Sequence, residues 1–236
     1  MKAILLAAGR GERMRPLTDG TPKPLLKVQG KALIEWHIEA LARSGVRELV
    51  INTAWLEEQI VAALGDGSRY GVSIAYSLER RDHGGALETA GGLKKALPLL
   101  IDSNEDCFWY VAADVFAPGF DFDGRAFERF ARGDEIAHLW MVPNPPQHAS
   151  GDFGIATGLA TVGVDGKRFT WSGIGLFRGA FVTELMAPMP VGTKAKLRPC
   201  LDMAIAQQRL GAEIYRGDWT DVGTPERLRE LNTLPR

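Results

Sequence analysis

Along the first half of the chain, continuous apolar runs alternate with stretches whose apolar positions recur every three or four residues. Ala3–Ala7 is one such run, as expected of a strand covered on both faces. A helix is predicted from Ala32 to Ser44, with Leu33, Ile34, Ile38 and Leu41 on one face and Gly45 as its stop. Glu48–Thr53 reads as a second strand and Leu56–Leu64 as a short helix ending at Gly65. Val72–Ser77 alternates apolar and polar residues as a third strand. Thr89–Leu97 reads as a helix that stops before Pro98. Phe108–Ala113 is a fourth strand that runs straight into Asp114. This β-α-β-α order predicts an α/β fold with a mostly parallel, doubly wound sheet.

The second half has a different pattern. Ala137–Val142 reads as a strand, and Asn144–Gly151 as a loop rich in Pro, His and Gly. Ile155–Thr161, Arg168–Thr170 and Gly173–Phe177 read as short strands joined by glycine turns such as Asp165-Gly166. Arg198–Leu210 is a predicted helix and Glu213–Tyr215 a strand. Thr224–Leu231 is a final helix, with Thr224 as cap and Pro225 at its first position. There is no repeat, low-complexity tract or linker. A single α/β domain over residues 1–236, with a small mixed α/β annex in its second half, is the expected organisation.

Composition narrows the function classes. The 236 residues carry 28 Lys and Arg against 29 Asp and Glu, a net charge of −1, which gives no basic excess for nucleic-acid binding. No apolar run approaches the roughly 18–20 residues that span a bilayer. The run Ala3–Ala8 is too short for a signal-peptide core and fits a buried first strand. Cys107 and Cys200 match no zinc or redox spacing and are expected to be reduced core residues of a cytoplasmic protein. His37, His83, His138 and His148 show no metal spacing, and His37 is expected to be structural.

The most informative segment is Leu6-Ala7-Ala8-Gly9-Arg10-Gly11-Glu12-Arg13-Met14-Arg15-Pro16-Leu17-Thr18, which follows the first strand. Gly9 and Gly11 let the backbone turn tightly and bring N–H groups near an anion. Arg13 and Arg15 add donors suited to phosphate oxygens. Thr21-Pro22-Lys23-Pro24-Leu25 then holds a lysine between two stiff prolines. No Gly-Lys-Ser/Thr follows, so this is not a Walker A loop. The third glycine of a dinucleotide fingerprint is missing, and no acidic ribose ligand follows the second strand at the usual spacing. Asp114, at the carboxyl end of the fourth strand, lies where ligand crevices form in open α/β sheets. Asp221 lies in Trp219-Thr220-Asp221-Val222-Gly223-Thr224-Pro225. Either aspartate alone is also a common turn former or cap.

Taken together, these motifs resemble the sugar-1-phosphate nucleotidyltransferases. The resemblance rests on Leu6-Ala-Ala-Gly-x-Gly-x-Arg-Met-x-Pro-Leu-Thr followed by Pro-Lys-Pro-Leu. It implies a Rossmann-like fold and transfer of a nucleoside monophosphate from an NTP to a sugar 1-phosphate. Residues from about 1 to 135 would form a nucleotide-binding half and those from about 136 to 236 a sugar-phosphate-binding half. It further implies that Leu6, Ala7, Ala8, Gly9, Gly11 and Arg13 hold the nucleotide, that Lys23 meets the α-phosphate, and that Arg13 and Lys23 are catalytic. Asp114 and Asp221 would hold Mg²⁺. Here Ala112-Ala113 precedes Asp114, where the family carries Asn-Gly or a similar small-residue run, so a side-chain amide is lost.

Leu87-Glu88-Thr89-Ala90-Gly91-Gly92 resembles the family's base-recognition segment, with Glu88 accepting from a ring N–H and Gly91 and Gly92 giving close approach. A plain helix start would use the same residues. Arg80–Gly85 before it looks like an inserted, solvated loop. The family's usual Glu-Lys-Pro is absent, and Asn144–Phe153 stands in its place. With Phe169-x-x-Ser172-Gly173-Ile174 and Lys196-Leu197-x-Pro199, the chain resembles the branch that uridylylates N-acetylmuramate 1-phosphate in Gram-negative cell-wall recycling. That likeness implies that Asp152, Gly154, Ser172 and Gly173 lie at the sugar and that Lys196 meets its phosphate. Gly154 and Gly173 could equally be strand bulges, and Lys194 and Lys196 surface charges. The expected partners are small molecules, an NTP and a sugar 1-phosphate, with neither nucleic acid nor membrane, in a monomer or small homo-oligomer. Two alternatives remain open: another nucleotide–sugar pair, such as GTP with mannose 1-phosphate, and a non-catalytic nucleotide sensor.

Overall fold

A computed structural model describes residues 1–103, 106–163 and 167–233. The chain opens with β1 (Lys2–Leu6), a glycine loop, α1 (Leu17–Gly20) and a small hairpin of β2 (Lys27–Val28) and β3 (Lys31–Ala32). Then follow α2 (Leu33–Arg43), β4 (Glu48–Thr53), α3 (Glu57–Leu64), β5 (Ser73–Leu78), α4 (Glu79–His83), α5 (Glu88–Leu100) and β6 (Cys107–Ala112). The second half contains β7 (Val115–Phe116), α6 (Gly124–Arg132), β8 (Ala137–Val142), β9 (Gly154–Ala156), β10 (Leu159–Thr161) and β11 (Thr170–Arg178). It closes with α7 (Gly179–Leu185), α8 (Arg198–Ala206), β12 (Leu210–Ile214), β13 (Thr220–Asp221) and α9 (Pro225–Thr233).

One nine-stranded sheet runs in the order β5-β4-β1-β6-β11-β8-β12-β10-β9. β5, β4, β1 and β6 are parallel neighbours. β11 runs antiparallel to both β6 and β8, β12 is parallel to β8, and β10 opposes β12 and β9. The sheet is therefore mostly parallel, as expected of α/β topology, with β11 and β10 reversed. Residues alternate between its two faces. On β6, Trp109 enters one core, where its ring meets Phe122 and Trp140, each at 5.1 Å between centroids. Phe108 and Tyr110 enter the opposite core, where Tyr110 stacks on Phe177 at 4.7 Å. These aromatic clusters on both faces hold the strand that leads into Asp114.

Several elements differ from the sequence expectation. α5 continues through Pro98 to Leu100. Proline removes only its own N–H bond, and the buried Leu100 and the Ile101 N–H bond to Leu97 O at 3.2 Å hold the last turn. α8 stops at Ala206, because Gln208 takes φ +57° and Leu210 already starts β12. Arg80–His83 belongs to the short helix α4, with Asp82 on Lys95 at 2.7 Å. α6 and α7 have no counterpart in the sequence reading; α6 starts with the Asp123 carboxylate accepting from Arg125 N at 2.9 Å. The proposed Asp165-Gly166 turn lies outside the described residues. Cys107 and Cys200 are not disulfide-bonded to each other; Cys107 is buried, but Cys200 is only partly so, at the rim of a core. His37 is buried, with Nε2 2.7 Å from Val115 O, the structural role expected of it.

The segments predicted as separate strands before and after Ser172 form one strand, β11, with a bulge. The register on β8 jumps between Trp171 and Ile174, so Ser172 and Gly173 loop out. Gly173 has φ +80°, and a Cβ there would lie 2.8 Å from Ala112 Cβ. Gly173→Ala should therefore lower unfolding stability by about 1–3 kcal/mol. Urea titration with an unchanged m-value checks this; a variant as stable as the parent would mean that the bulge tolerates a side chain.

Candidate active site

The chain leaves the sheet at the carboxyl end of β1, where two neighbours grip it. The Ala7 N–H is shared between Asn52 O at 3.1 Å and Asn52 Oδ1 at 2.9 Å, and Ala113 N donates to Leu6 O at 3.1 Å. Beyond Ala7 the backbone turns along a cleft of about 610 Å³. Gly11 makes that turn at φ +68°, and a Cβ there would sit 3.0 Å from Thr18 Cγ2 and 3.3 Å from Lys23 Cβ. The Thr18 hydroxyl donates to Gly11 O at 2.8 Å and ties the loop to α1. Arg10, a cleft residue not singled out in the sequence, braces the loop. Its guanidinium lies 3.6 Å from the Trp55 ring centroid and donates to Thr18 O at 2.9 Å and to Asp19 at 3.0 Å. Among the described residues, no acceptor meets the N–H groups of Ala8, Gly9, Arg10 or Gly11. Backbone N–H groups without acceptors, facing a cleft, are suited to an anion.

Leu6, Ala7, Ala8, Gly9, Gly11, Arg13, Lys23, Glu88 and Asp114 all line this cleft. Lys23 is buried, and its Nζ lies 2.8 Å from Asp114 Oδ2. The Asp114 side chain is half-buried and lines the cleft. Burial pushes its pKa up, but the Lys23 charge and hydrogen bond, helped by Arg13, outweigh this and hold it below the usual carboxylate value. Arg13 itself is exposed and makes no ion pair with a described residue.

Asp221 comes beside Asp114 through a two-residue ladder. β13 pairs with β7, with Asp221 opposite Val115, and Val222 N donates to Asp114 O at 3.0 Å. Asp221 Oδ2 is 2.6 Å from Arg227 on α9. Gly223 lines the cleft, and a Cβ on it would lie 3.0 Å from both Asp221 carboxylate oxygens. No group of three or more His, Cys, Asp or Glu side chains is placed to hold a metal among the described residues. Asp114 lines the cleft and Asp221 does not, and each carboxylate is now met by a cationic side chain, Lys23 or Arg227, that a hard dication taking its other ligands from phosphate and water would have to displace.

The base and sugar assignments fare unevenly in geometry. Glu88 is exposed to the cleft and takes φ +60°, a strained conformation for a residue with a side chain. Gly91 does not line the cleft: a Cβ there would strike the Thr193 carbonyl. Its missing side chain lets residues 193–195 dock on the start of α5, where Ala90 N donates to Ala195 O and Ala195 N to Leu87 O, each at 2.9 Å. That docking puts Lys194, read from sequence as a surface charge, into the cleft wall, whereas Lys196 is exposed outside it. Asp152, Gly154, Ser172 and Gly173 do not line the cleft either. Asp152 accepts from Trp171 N at 2.8 Å and pairs with His148 at 3.0 Å. Gly154 leaves room for Thr161 Oγ1, which a Cβ would meet at 2.5 Å. Ser172 is buried, and its carbonyl accepts from Trp219 Nε1 at 2.9 Å. Asn52, Tyr110 and Lys194 are cleft residues that sequence reasoning missed. Only a contact across the fold distinguishes them, since a strand Asn, a strand Tyr and a loop Lys carry no local signal.

Comparisons with known proteins show the family and the fold. The family model described as Nucleotidyl transferase matches residues 2–160. The chain is 47% identical, over 99% of its own length and 98% of the relative's, to an N-acetylmuramate alpha-1-phosphate uridylyltransferase of Neisseria meningitidis serogroup B. It is 28% identical to a glucose-1-phosphate thymidylyltransferase of Streptomyces griseus, over 99% of this chain and 66% of that protein. In fold it is similar to a Bacillus anthracis protein assigned as a glucose-1-phosphate thymidylyltransferase and solved with sucrose. That likeness has a TM-score of 0.83 and 22% identity, over 98% of this chain and 94% of the other.

The Lys23–Asp114 pair has a measurable signature. Its contribution to stability is present above the ordinary carboxylate pKa and is lost as pH falls through the lowered folded value. Carboxyl ¹³C NMR should place Asp114 below about 3.9. In Lys23→Met the midpoint should rise above that value, because burial then acts without its counter-charge. A midpoint unmoved by the substitution would contradict the pairing.

Proposed function

This chain belongs to the nucleotidyl transferase family, among the sugar-1-phosphate nucleotidyltransferases, and on that premise we propose that it transfers UMP from UTP to N-acetylmuramate 1-phosphate. The products are UDP-N-acetylmuramate and pyrophosphate. The observation that carries the chemistry is the row of open N–H groups at Ala8–Gly11 beside Lys23 and Asp114. The choice of uridine and of the muramyl acceptor rests on the end-to-end similarity to the Neisseria relative.

An oxygen of the acceptor phosphate attacks the α-phosphorus of the nucleotide in line. A new P–O bond forms there as the bond from the α-phosphorus to the bridging oxygen breaks, and its electron pair leaves with pyrophosphate. The acceptor phosphate is already ionised at neutral pH, so no general base is required. The Ala8–Gly11 backbone and Arg13 hold the triphosphate. Lys23 exchanges the Asp114 carboxylate for the α-phosphate and offsets charge there in the transition state. Glu88 faces the base. Lys194, in the cleft wall, takes the acceptor phosphate in place of Lys196. Asp152, Ser172 and Gly173 shape the sugar side from behind by fixing β11 and its bulge, and Gly154 packs the hairpin beyond. Asp114 and Asp221 would hold Mg²⁺, which when bound neutralises phosphate charge as the two anions approach. The reaction fits a cytoplasmic step that recycles peptidoglycan sugars.

Pyrophosphate release with Mg²⁺, measured for five nucleoside triphosphates against four sugar 1-phosphates, tests the reading. UTP with N-acetylmuramate 1-phosphate should give the highest kcat/KM, and Asp114→Asn or Arg13→Ala should lower it by about 10²–10³. Lys194→Met should raise the acceptor KM, while Lys196→Met leaves it within about twofold. A stronger response with another pair would replace the substrates. Silence throughout, with UTP bound, would leave a nucleotide sensor.

A further inference from the structure

A buried polar chain connects the two edges of the cleft. Asn52, the fifth residue of β4, is buried and turns its carboxamide in two directions. Its Oδ1 accepts from Ala7 N at 2.9 Å, where the phosphate loop begins. Its Nδ2 donates to Glu79 Oε1 at 2.7 Å. Glu79, the first residue of α4, is fully buried, and its second oxygen accepts from Leu87 N at 2.7 Å. Leu87 O in turn accepts from Ala195 N at 2.9 Å, which seats the strap carrying Lys194. Five residues thus run without interruption from the anion loop to the residues beside Glu88 and Lys194. Gly92 is part of the same device: a Cβ there would strike Glu79 Oε1 and lie 2.6 Å from Asn52 Nδ2.

A buried carboxylate is costly to keep, and simpler folds of this segment would not need one. Here both oxygens are used, one on Asn52, which lines the cleft, and one on the N–H of Leu87, which sits between the cleft residues Ala86 and Glu88. A fully satisfied buried network fixes distances more tightly than apolar packing does. We propose that Glu79 and Asn52 are positioning residues that set the span between the triphosphate loop and the Glu88–Lys194 edge, so that the nucleotide and the acceptor are held in register with each other. This rests on the transfer reaction proposed above, and it adds to it Glu79, which does not line the cleft, and Asn52, which lines it but acts here through Ala7 and Glu79.

The shared anchor gives a distinctive expectation. A contact made to one substrate affects one KM, whereas losing this chain loosens both edges. Glu79→Gln keeps the shape but turns one acceptor into a donor. Asn52→Ser removes the bridge from the other side. Each should raise the KM of both the nucleoside triphosphate and the sugar 1-phosphate by about tenfold, with kcat nearly unchanged. The double variant should be no worse than either single one, because one break already uncouples the edges. Gly92→Ala, which displaces the pair without touching the cleft, should reproduce the effect. Lowered melting temperatures with both KM values unchanged, or additive effects in the double variant, would overturn the proposal. Should the parent protein show no turnover, the proposed function fails. The dissociation constant of the nucleoside triphosphate that binds the parent most tightly then decides the positioning role on the same variants: about tenfold weaker binding supports it, and equal binding overturns it.

Discussion

The contact on which the rest of the site depends is the ion pair between Lys23 and Asp114. A lysine ammonium this enclosed, with its side chain 9% exposed, requires a counter-charge at short range. Asp114 is the residue that supplies it, two residues beyond a strand whose side chains pack into the cores on both sheet faces. For the two to meet, the segment from Gly9 to Leu25 must fold back over the carboxyl ends of β1 and β6. Gly11 permits that path by its left-handed backbone and by leaving space for Thr18 and Lys23. The same path leaves the Ala8–Gly11 N–H groups without a protein acceptor among the described residues, in a stretch that lines the cleft. The anion site and the ion pair are therefore two consequences of one loop conformation.

The reversed strand β11 is the second constraint. Antiparallel pairing with β6 places its bulge at Ser172–Gly173 against Ala112, and Trp219 bonds to the Ser172 carbonyl. This couples the strand end before Asp114 to the segment before Asp221. The β7–β13 ladder completes the coupling, so both aspartates are set by backbone bonding and neither relies on a long flexible loop. An enzyme joining two polyanions benefits from carboxylates and cations fixed before the substrates arrive, since little reorganisation is then left for the reaction.

Much of this is legible in the amino-acid order. The apolar run at Ala3–Ala7, the amphipathic face of Leu33, Ile34, Ile38 and Leu41, and the glycine pair before Arg13 act locally, and local rules describe them. Thr224 caps α9 as its position suggests, accepting from Arg227 N at 3.4 Å. The failures share one cause. Pro98 looks like a stop because local rules omit the tertiary packing of Leu100. Gly173 looks like a break between strands because a bulge is visible only against its neighbours. Gly91 suggests room for a base, yet the Thr193 carbonyl takes that room. Asn52 and Glu79 are silent in sequence, being 27 positions apart and joined only through the folded sheet.

The central claim is that the loop from Ala8 to Gly11, together with Lys23, receives the triphosphate. A crystal structure of the protein with Mg²⁺ and a non-hydrolysable UTP analogue tests it most directly. The expected result shows phosphate oxygens on the Ala8–Gly11 N–H groups, Lys23 Nζ moved from Asp114 to the α-phosphate, and the base beside Glu88. A triphosphate bound elsewhere, with the Lys23–Asp114 contact intact and the loop N–H groups untouched, would contradict the account.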